Sequence, residues 1–184
     1  MKEVWNRIES WLKANAENVL DSLQPGATEE EIAETEKYLG VQLPEEIKES
    51  YRIHNGQYEN KLIGFIEGRD FLSLNRIKSE WNVWKELVDG GDFEDNQGEP
   101  SGPVKPDWYN IKWIPITYNG SGDHHCIDLD PAEGGNTGQI IEMWHDEATR
   151  TVVSKSFKDW LEQFANALEE GEYEVDEEYG LELL

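Results

Sequence analysis

The densest run of side chains able to do chemistry is Asp123-His124-His125-Cys126-Ile127-Asp128-Leu129-Asp130. Imidazole, thiol and carboxylate together are zinc donors, and a Cys beside a His is the pairing of a nucleophile with its base. The surrounding pattern is that of a β-strand, and on a strand alternate residues share a face. His124, Cys126, Asp128 and Asp130 then lie on one side, with His125, Ile127 and Leu129 on the other. The two histidines diverge. Residues two apart on one strand sit about 6–7 Å from each other, which is wide for ligands of a single ion. A metal would need His54 or His145 brought in from elsewhere. Reactive thiols sit at helix N-termini or among cations, whereas Cys126 is mid-strand in a strongly negative chain. The expectation is a structural strand: Ile127 and Leu129 in the core, Cys126 a small buried apolar residue, Asp130-Pro131 opening a turn. Neither catalytic residues nor metal ligands are assigned.

Other constellations are weaker. Gly120-Ser121-Gly122 resembles half of a dinucleotide-binding loop, but it joins two strands and has no helix N-terminus to receive a phosphate. It reads as a hairpin turn. With 40 acidic residues, some carboxylate pair always falls at a separation suited to glycoside hydrolysis, so such a pair has no specificity. Trp81 and Trp84 could stack on a sugar or a partner. Their 4, 3 and 4 spacing with Ile77 and Val88 is equally that of a core stripe, the reading favoured here.

The elements that position these residues follow from periodicity. Trp5, Ile8, Leu12, Val19 and Leu20 predict a helix from about Lys2 to Leu23. Thr28 with Glu31 forms a capping box for a second helix, which Gly40 stops. Pro44 opens a third that runs to about His54, before an Asn55-Gly56 turn. Leu62–Ile66 and Phe71–Leu74 read as strands, and Asn75–Val88 as a helix. From Asp89 to Asp107 the glycines and prolines predict a long loop without helix or strand, and loops of this length often bind something. Strands are expected over Lys112–Tyr118, His124–Leu129, Gln139–Trp144 and around Thr151–Val153. Ser156 caps a last helix holding Phe157, Trp160, Leu161, Phe164 and Leu168. The class is α+β: a central mixed, mainly antiparallel sheet flanked by helices.

Composition narrows the partners. Against the 40 acids stand 16 Lys and Arg, a net charge of −24. Binding to nucleic acid or to an anionic membrane needs clustered cations and is not expected. No apolar run approaches the roughly 20 residues of a membrane span, and the first residues do not read as a signal peptide. A single cysteine leaves no internal disulfide. High charge favours disorder, but eight Trp, seven Tyr and five Phe spread along the chain favour a folded core. A cytoplasmic single domain over 1–168 with an acidic tail over 169–184 is the expectation. The acidity is localised: net −8 from Glu169 onward, −5 over Asp89–Asp107 and −6 over Thr28–Ser50.

Ordered motifs then carry a resemblance. Trp5-x-x-Ile8-x-x-Trp11-Leu12 is followed by Pro25-Gly26-Ala27-Thr28-x-x-Glu31-Ile32-x-x-x-Glu36-x-x-Leu39-Gly40, Leu43-Pro44 and Tyr51-x-x-His54-Asn55-Gly56. Trp113-Ile114-Pro115-Ile116, Gly120-x-Gly122-Asp123, Cys126-Ile127-Asp128-Leu129-Asp130-Pro131, Gly138-Gln139-Ile140 and Ser156-Phe157-x-x-Trp160-Leu161 complete the series. The order resembles the SUKH superfamily, Smi/Knr-type, over about Trp5 to Leu168. The resemblance implies the Smi/Knr-like α+β fold, no catalytic residues and no cofactor. It implies a non-enzymatic protein, and for most bacterial members an immunity protein that binds and neutralises a cognate polymorphic toxin. The acidity points to a basic toxin domain, such as a nuclease. The alternative is a regulatory scaffold of the fungal cell-wall-regulator kind, which binds cellular proteins. The contacts offered for a partner are Trp81, Trp84, Asp92, Glu94 and Asp95, on the helix and loop beyond a minimal core.

Overall fold

The computed structural model describes residues Met1–Leu184. Helix α1 (Lys2–Asn15) breaks at Ala16 and a short α2 (Glu17–Leu20) follows, so the stripe expected as one helix to Leu23 is two pieces. The break has a local cause. The Asn15 amide donates to the Trp11 carbonyl, and the Asn18 side chain accepts from the Val19 N–H, each competing with the helix ladder. Helix α3 (Glu29–Leu39) begins on the expected capping box. Glu31 N–H donates to Thr28 Oγ1 at 3.2 Å and Thr28 N–H to the Glu31 carboxylate at 2.7 Å. Helix α4 (Glu45–Tyr51) is shorter than the reading to His54. Pro44 caps it from an extended conformation, and His54 turns back toward the Gln24 carbonyl and Glu9.

Leu62–Ile66 is not a strand. Phe65 and Ile66 are apolar because they are buried, and the segment makes only isolated bridges. Strand β1 is the pair Asp70–Phe71. Helix α5 (Leu74–Gly90) starts where Ser73 Oγ accepts from Arg76 N–H and ends at Gly91 in the left-handed region. Strand β2 (Glu99–Ser101) lies inside the stretch expected to hold no strand. It forms because the edge of a later strand offers a ladder, and its Pro100 is tolerated where one side faces no neighbour. The segment expected as one strand over Lys112–Tyr118 splits at Ile116 into β3 (Trp113–Pro115) and β4 (Thr117–Tyr118), because β4 leaves to pair with β1. There follow β5 (His124–Asp128), β6 (Gln139–Met143), β7 (Thr149–Ser154), α6 (Phe157–Glu170), β8 (Tyr173–Asp176) and β9 (Gly180–Leu183).

The central sheet has the order β2-β7-β6-β5-β3, with β2 parallel to β7 and every other pairing antiparallel. The α+β class and the mixed, mainly antiparallel sheet are therefore as read. Register sorts the side chains. Ile114, Ile127 and Ile140 stand opposite one another across β3, β5 and β6, and join Trp5, Ile8, Leu161 and Phe164 in the main core. The alternate residues Trp113, Cys126, Ile141 and Met143 face the other way. They meet Trp84, Val104 and Tyr109 in a second, smaller core. Burial on both faces explains why every residue of β5 is inaccessible.

The acidic stretch from Glu169 completes α6 and folds into the β8–β9 hairpin. Its Tyr173 and Leu181 are buried within the main core cluster. Gly180 bridges to Gly64 so closely that a Cβ there would lie 2.4 Å from the Gly64 carbonyl oxygen, and its φ is 90°. Only glycine permits that approach. No helix is long and apolar enough to cross a membrane.

Candidate functional site

The His- and Cys-bearing strand does not assemble a catalytic group. His124 accepts from Trp84 Nε1–H at 3.1 Å through Nε2, and its Nδ1 faces the Thr117 carbonyl at 2.7 Å. Those partners fix the Nδ1–H tautomer and occupy both nitrogens. Burial pushes His124 down to about 4. His125, on the opposite face as alternation requires, is pushed by burial down to about 3. Burial drives the Cys126 thiol far above its ordinary range. His145 does not join them. It pairs with Asp123, whose Oδ1 accepts from the His145 backbone N–H at 2.9 Å and ring at 2.8 Å, while Asn119 donates to Oδ2 at 2.5 Å. Asp123, His145 and Asp146 thus bring ligand-type atoms within 4.8 Å of one another. Asn119 and Asp123 close the turn between β4 and β5, and Asp123 ties it to His145 beyond β6, while Asp146 only stands 3.8 Å from the His145 ring.

The better candidate is built by the segment after α5. Gly91 turns the chain off the helix (φ 80°), and Phe93 folds back over Trp84, with centroids 5.9 Å apart. Trp84 stacks on Tyr109 at 5.0 Å, and Phe93 reaches Trp108 at 6.3 Å. Phe93, Trp108 and Tyr109 floor a cleft of about 370 Å³ whose walls include Glu94 and Asp107. Glu94 is exposed at this wall, and Asp92 and Asp95 are exposed on either side of it in the chain. The only cation between Asp89 and Asp107 is Lys105, which is taken by Asp130 at 2.7 Å. The rim therefore keeps its negative charge.

Arg150 holds this segment down. Its guanidinium is fully buried and finds no carboxylate. It donates instead to the carbonyls of Trp108 (2.6 and 3.2 Å), Glu147 (2.6 Å) and Thr149 (2.8 Å), and lies 5.3 Å over the Trp108 ring. Burial lowers it to about 10, so it remains charged at neutral pH. The cleft thus joins an aromatic floor to the carboxylates of Glu94 and Asp107.

Of the five residues offered as contacts, Glu94 lines the cleft and Trp84 lies beneath Phe93, supporting the floor rather than forming its surface. Asp92 and Asp95 are exposed near Glu94 in the chain but are not part of the cleft lining. Trp81 is apart, buried with its indole N–H donating to the Ile111 carbonyl at 2.7 Å. The core-stripe reading of the two tryptophans is the one that holds. Phe93, Trp108, Tyr109 and Arg150 were not singled out by sequence. The only signal was an aromatic at each end of an otherwise polar, Gly- and Pro-rich run; Arg150 carried none.

The chain is a two-core α+β domain with a helical N-terminal half and an acidic aromatic cleft. Residues 26–163 match the sequence profile of the SMI1 / KNR4 family (SUKH-1), and the chain belongs to that family. It is 29% identical over 191 residues to the cell wall biosynthesis/cell cycle regulator smi1 of Schizosaccharomyces pombe, covering 97% of this chain and 38% of the relative. It is 25% identical over 209 residues to the cell wall assembly regulator SMI1 of Saccharomyces cerevisiae, covering 94% of this chain and 41% of the relative. It is 26% identical over 183 residues to F-box only protein 3 of Bos taurus, covering 95% and 36%. The chain thus spans about two fifths of the length of these curated relatives. Two carry names of regulators and the third of an F-box protein. They lend no support to the expectation of a bacterial toxin antagonist.

Proposed function

We propose that this chain is a non-enzymatic protein-binding domain of the regulatory-scaffold kind, which takes basic segments of cellular proteins on the acidic aromatic cleft between α5 and Tyr109. The observation that carries the reading is the cleft itself, an aromatic floor of Phe93, Trp108 and Tyr109 walled by the carboxylates of Glu94 and Asp107, with Asp92 and Asp95 exposed close by in the chain. The names of the fungal relatives favour regulation over antagonism of a toxin. Exposed rim charges act mainly on encounter rate and salt dependence, and the aromatic floor on residence time.

The test is affinity capture from the native cell with the wild-type chain and an Asp92→Asn, Glu94→Gln, Asp95→Asn variant, at low and high salt. The expected result is a set of proteins with basic segments that is lost in the variant and thinned by salt. An unchanged set in the variant refutes the cleft. Capture of one stoichiometric toxin-like protein, with rescue of a poisoned cell, restores the antagonist reading instead.

A further inference from the structure

A second recess lies on the far side of the sheet, between α6, the turn at Glu67 and the β8–β9 hairpin. Its volume is about 200 Å³, several times the roughly 30 Å³ share of a single water. Trp160, Phe164, Tyr173 and Leu183 supply its apolar wall, and Glu67 and Glu172 its carboxylates. Glu67 is the only non-glycine residue with positive φ, at 52°. Together with Gly68 (φ 69°) it makes a two-residue turn in which Arg69 N–H donates to the Ile66 carbonyl at 2.9 Å. Asn or Gly is the ordinary occupant of such a first position, and a Glu held there is a backbone outlier.

Glu67 makes no ion pair with a lysine or arginine within 4.0 Å. Arg69 donates from Nη2 to Glu142 at 2.5 Å and lies over the Trp144 ring, its buried Nη1 makes no hydrogen bond, and its charge reaches Glu67 only at longer range. The nearest ring nitrogen is His125 Nε2, at 3.6 Å and uncharged at neutral pH. Half-burial raises Glu67 above its usual range, with Arg69 opposing, as expected of a carboxylate against an apolar wall. Glu172 adds negative charge on the same recess, and no lysine or arginine lines it.

We propose that this recess is a binding site for an alkylammonium group, the side chain of a lysine presented by a partner protein. The four-carbon stem lies along Phe164, Tyr173 and Leu183, and the ammonium meets the Glu67 carboxylate beside the Trp160 ring. A carboxylate that makes no direct ion pair within the chain then gains one, and the aromatic wall adds attraction for a cation. This site is distinct from the acidic cleft and stands whether or not that cleft binds partners.

The experiment is a titration of the full 184-residue chain, followed by amide and indole N–H resonances. The probes are N-acetyl-lysine methylamide, its trimethylammonium form and the uncharged N-acetyl-norleucine methylamide. The expected result is saturable shifts of the Trp160 indole and the Glu67 and Tyr173 amides with both cations and none with norleucine. Glu67→Gln weakens binding about tenfold or more. Glu67→Gly, which relaxes the backbone, abolishes the same shifts while raising thermal stability, so loss of binding is separated from loss of fold. Equal shifts with norleucine, undiminished binding in Glu67→Gln, or shifts confined to the Phe93 and Trp108 cleft each overturn the proposal.

Discussion

Replacing Arg150 by Met tests whether one buried guanidinium ties the cleft to the sheet. Methionine fills much of the same volume but has no donors. Three carbonyls, of Trp108, Glu147 and Thr149, lose the N–H groups now 2.6–3.2 Å away. A carbonyl left unpaired where water cannot reach it costs about 1–3 kcal/mol; Glu147 and Thr149 are exposed residues, so about 3–9 kcal/mol is the upper bound of the gross loss. Relief opposes it, because Arg150 is a fully buried charge with no carboxylate and its removal returns several kcal/mol. The net expectation is destabilisation of about 3 kcal/mol, read from urea unfolding followed by tryptophan fluorescence. Amide exchange should rise most at Trp108 and Tyr109, while the amides of β5 and β6 change only with global stability. Lysine should not rescue, since a point charge cannot reach three diverging carbonyls. A loss under about 1 kcal/mol with unchanged exchange at Trp108 would refute the tether.

The remaining expectations concern pH and packing. His124 and His125 are both held below their ordinary value by burial, so the unfolded chain binds protons before the folded one does. Stability is full above the unfolded value near 6.5 and falls as pH drops toward 4, by about 1.4 kcal/mol per pH unit for each ring. Denaturant titrations at pH 7, 6 and 5 check this, and a flat profile contradicts it. His145 has the opposite sign: its hydrogen bond to Asp123 raises it, so its contribution is present at low pH and fades as pH rises through the raised value. His145→Gln should remove that fade and leave the acid-side fall in place, by the same titrations. Gly180→Ala should cost about 2 kcal/mol or more through a clash with Gly64 and an unfavourable φ, with proteolysis of the β8–β9 hairpin as the readout. Wild-type resistance in that variant argues against the close approach.

Much of the fold was legible because its signals are local. Thr28 with Glu31, Gly40, Ser156 and the stripe Ile77–Trp81–Trp84 each state their own conformation within a few residues. The three central strands were legible for the same reason. What was not legible depends on distant partners. Glu99–Ser101 becomes a strand only because Thr149–Thr151 lies alongside. Leu62–Ile66 looks like a strand because burial, and not pairing, demands apolar residues there. The carboxylates of the candidate cleft were visible as charge, but its floor was not. Phe93, Trp108 and Tyr109 meet through folding of the loop, and Arg150 reaches them from 42 residues away from Trp108.

The smaller core gives the molecule an internal clock. Cys126 is the chain's only thiol and lies under Trp84, Tyr109 and Val104, which the segment after α5 holds in place. A thiol reagent can reach it only when this core opens, and where global unfolding is rare the labelling rate times that local opening without an introduced probe. A partner seated in the cleft slows the clock in proportion to its occupancy, whereas one bound at the Glu67 recess, on the other face, leaves it running.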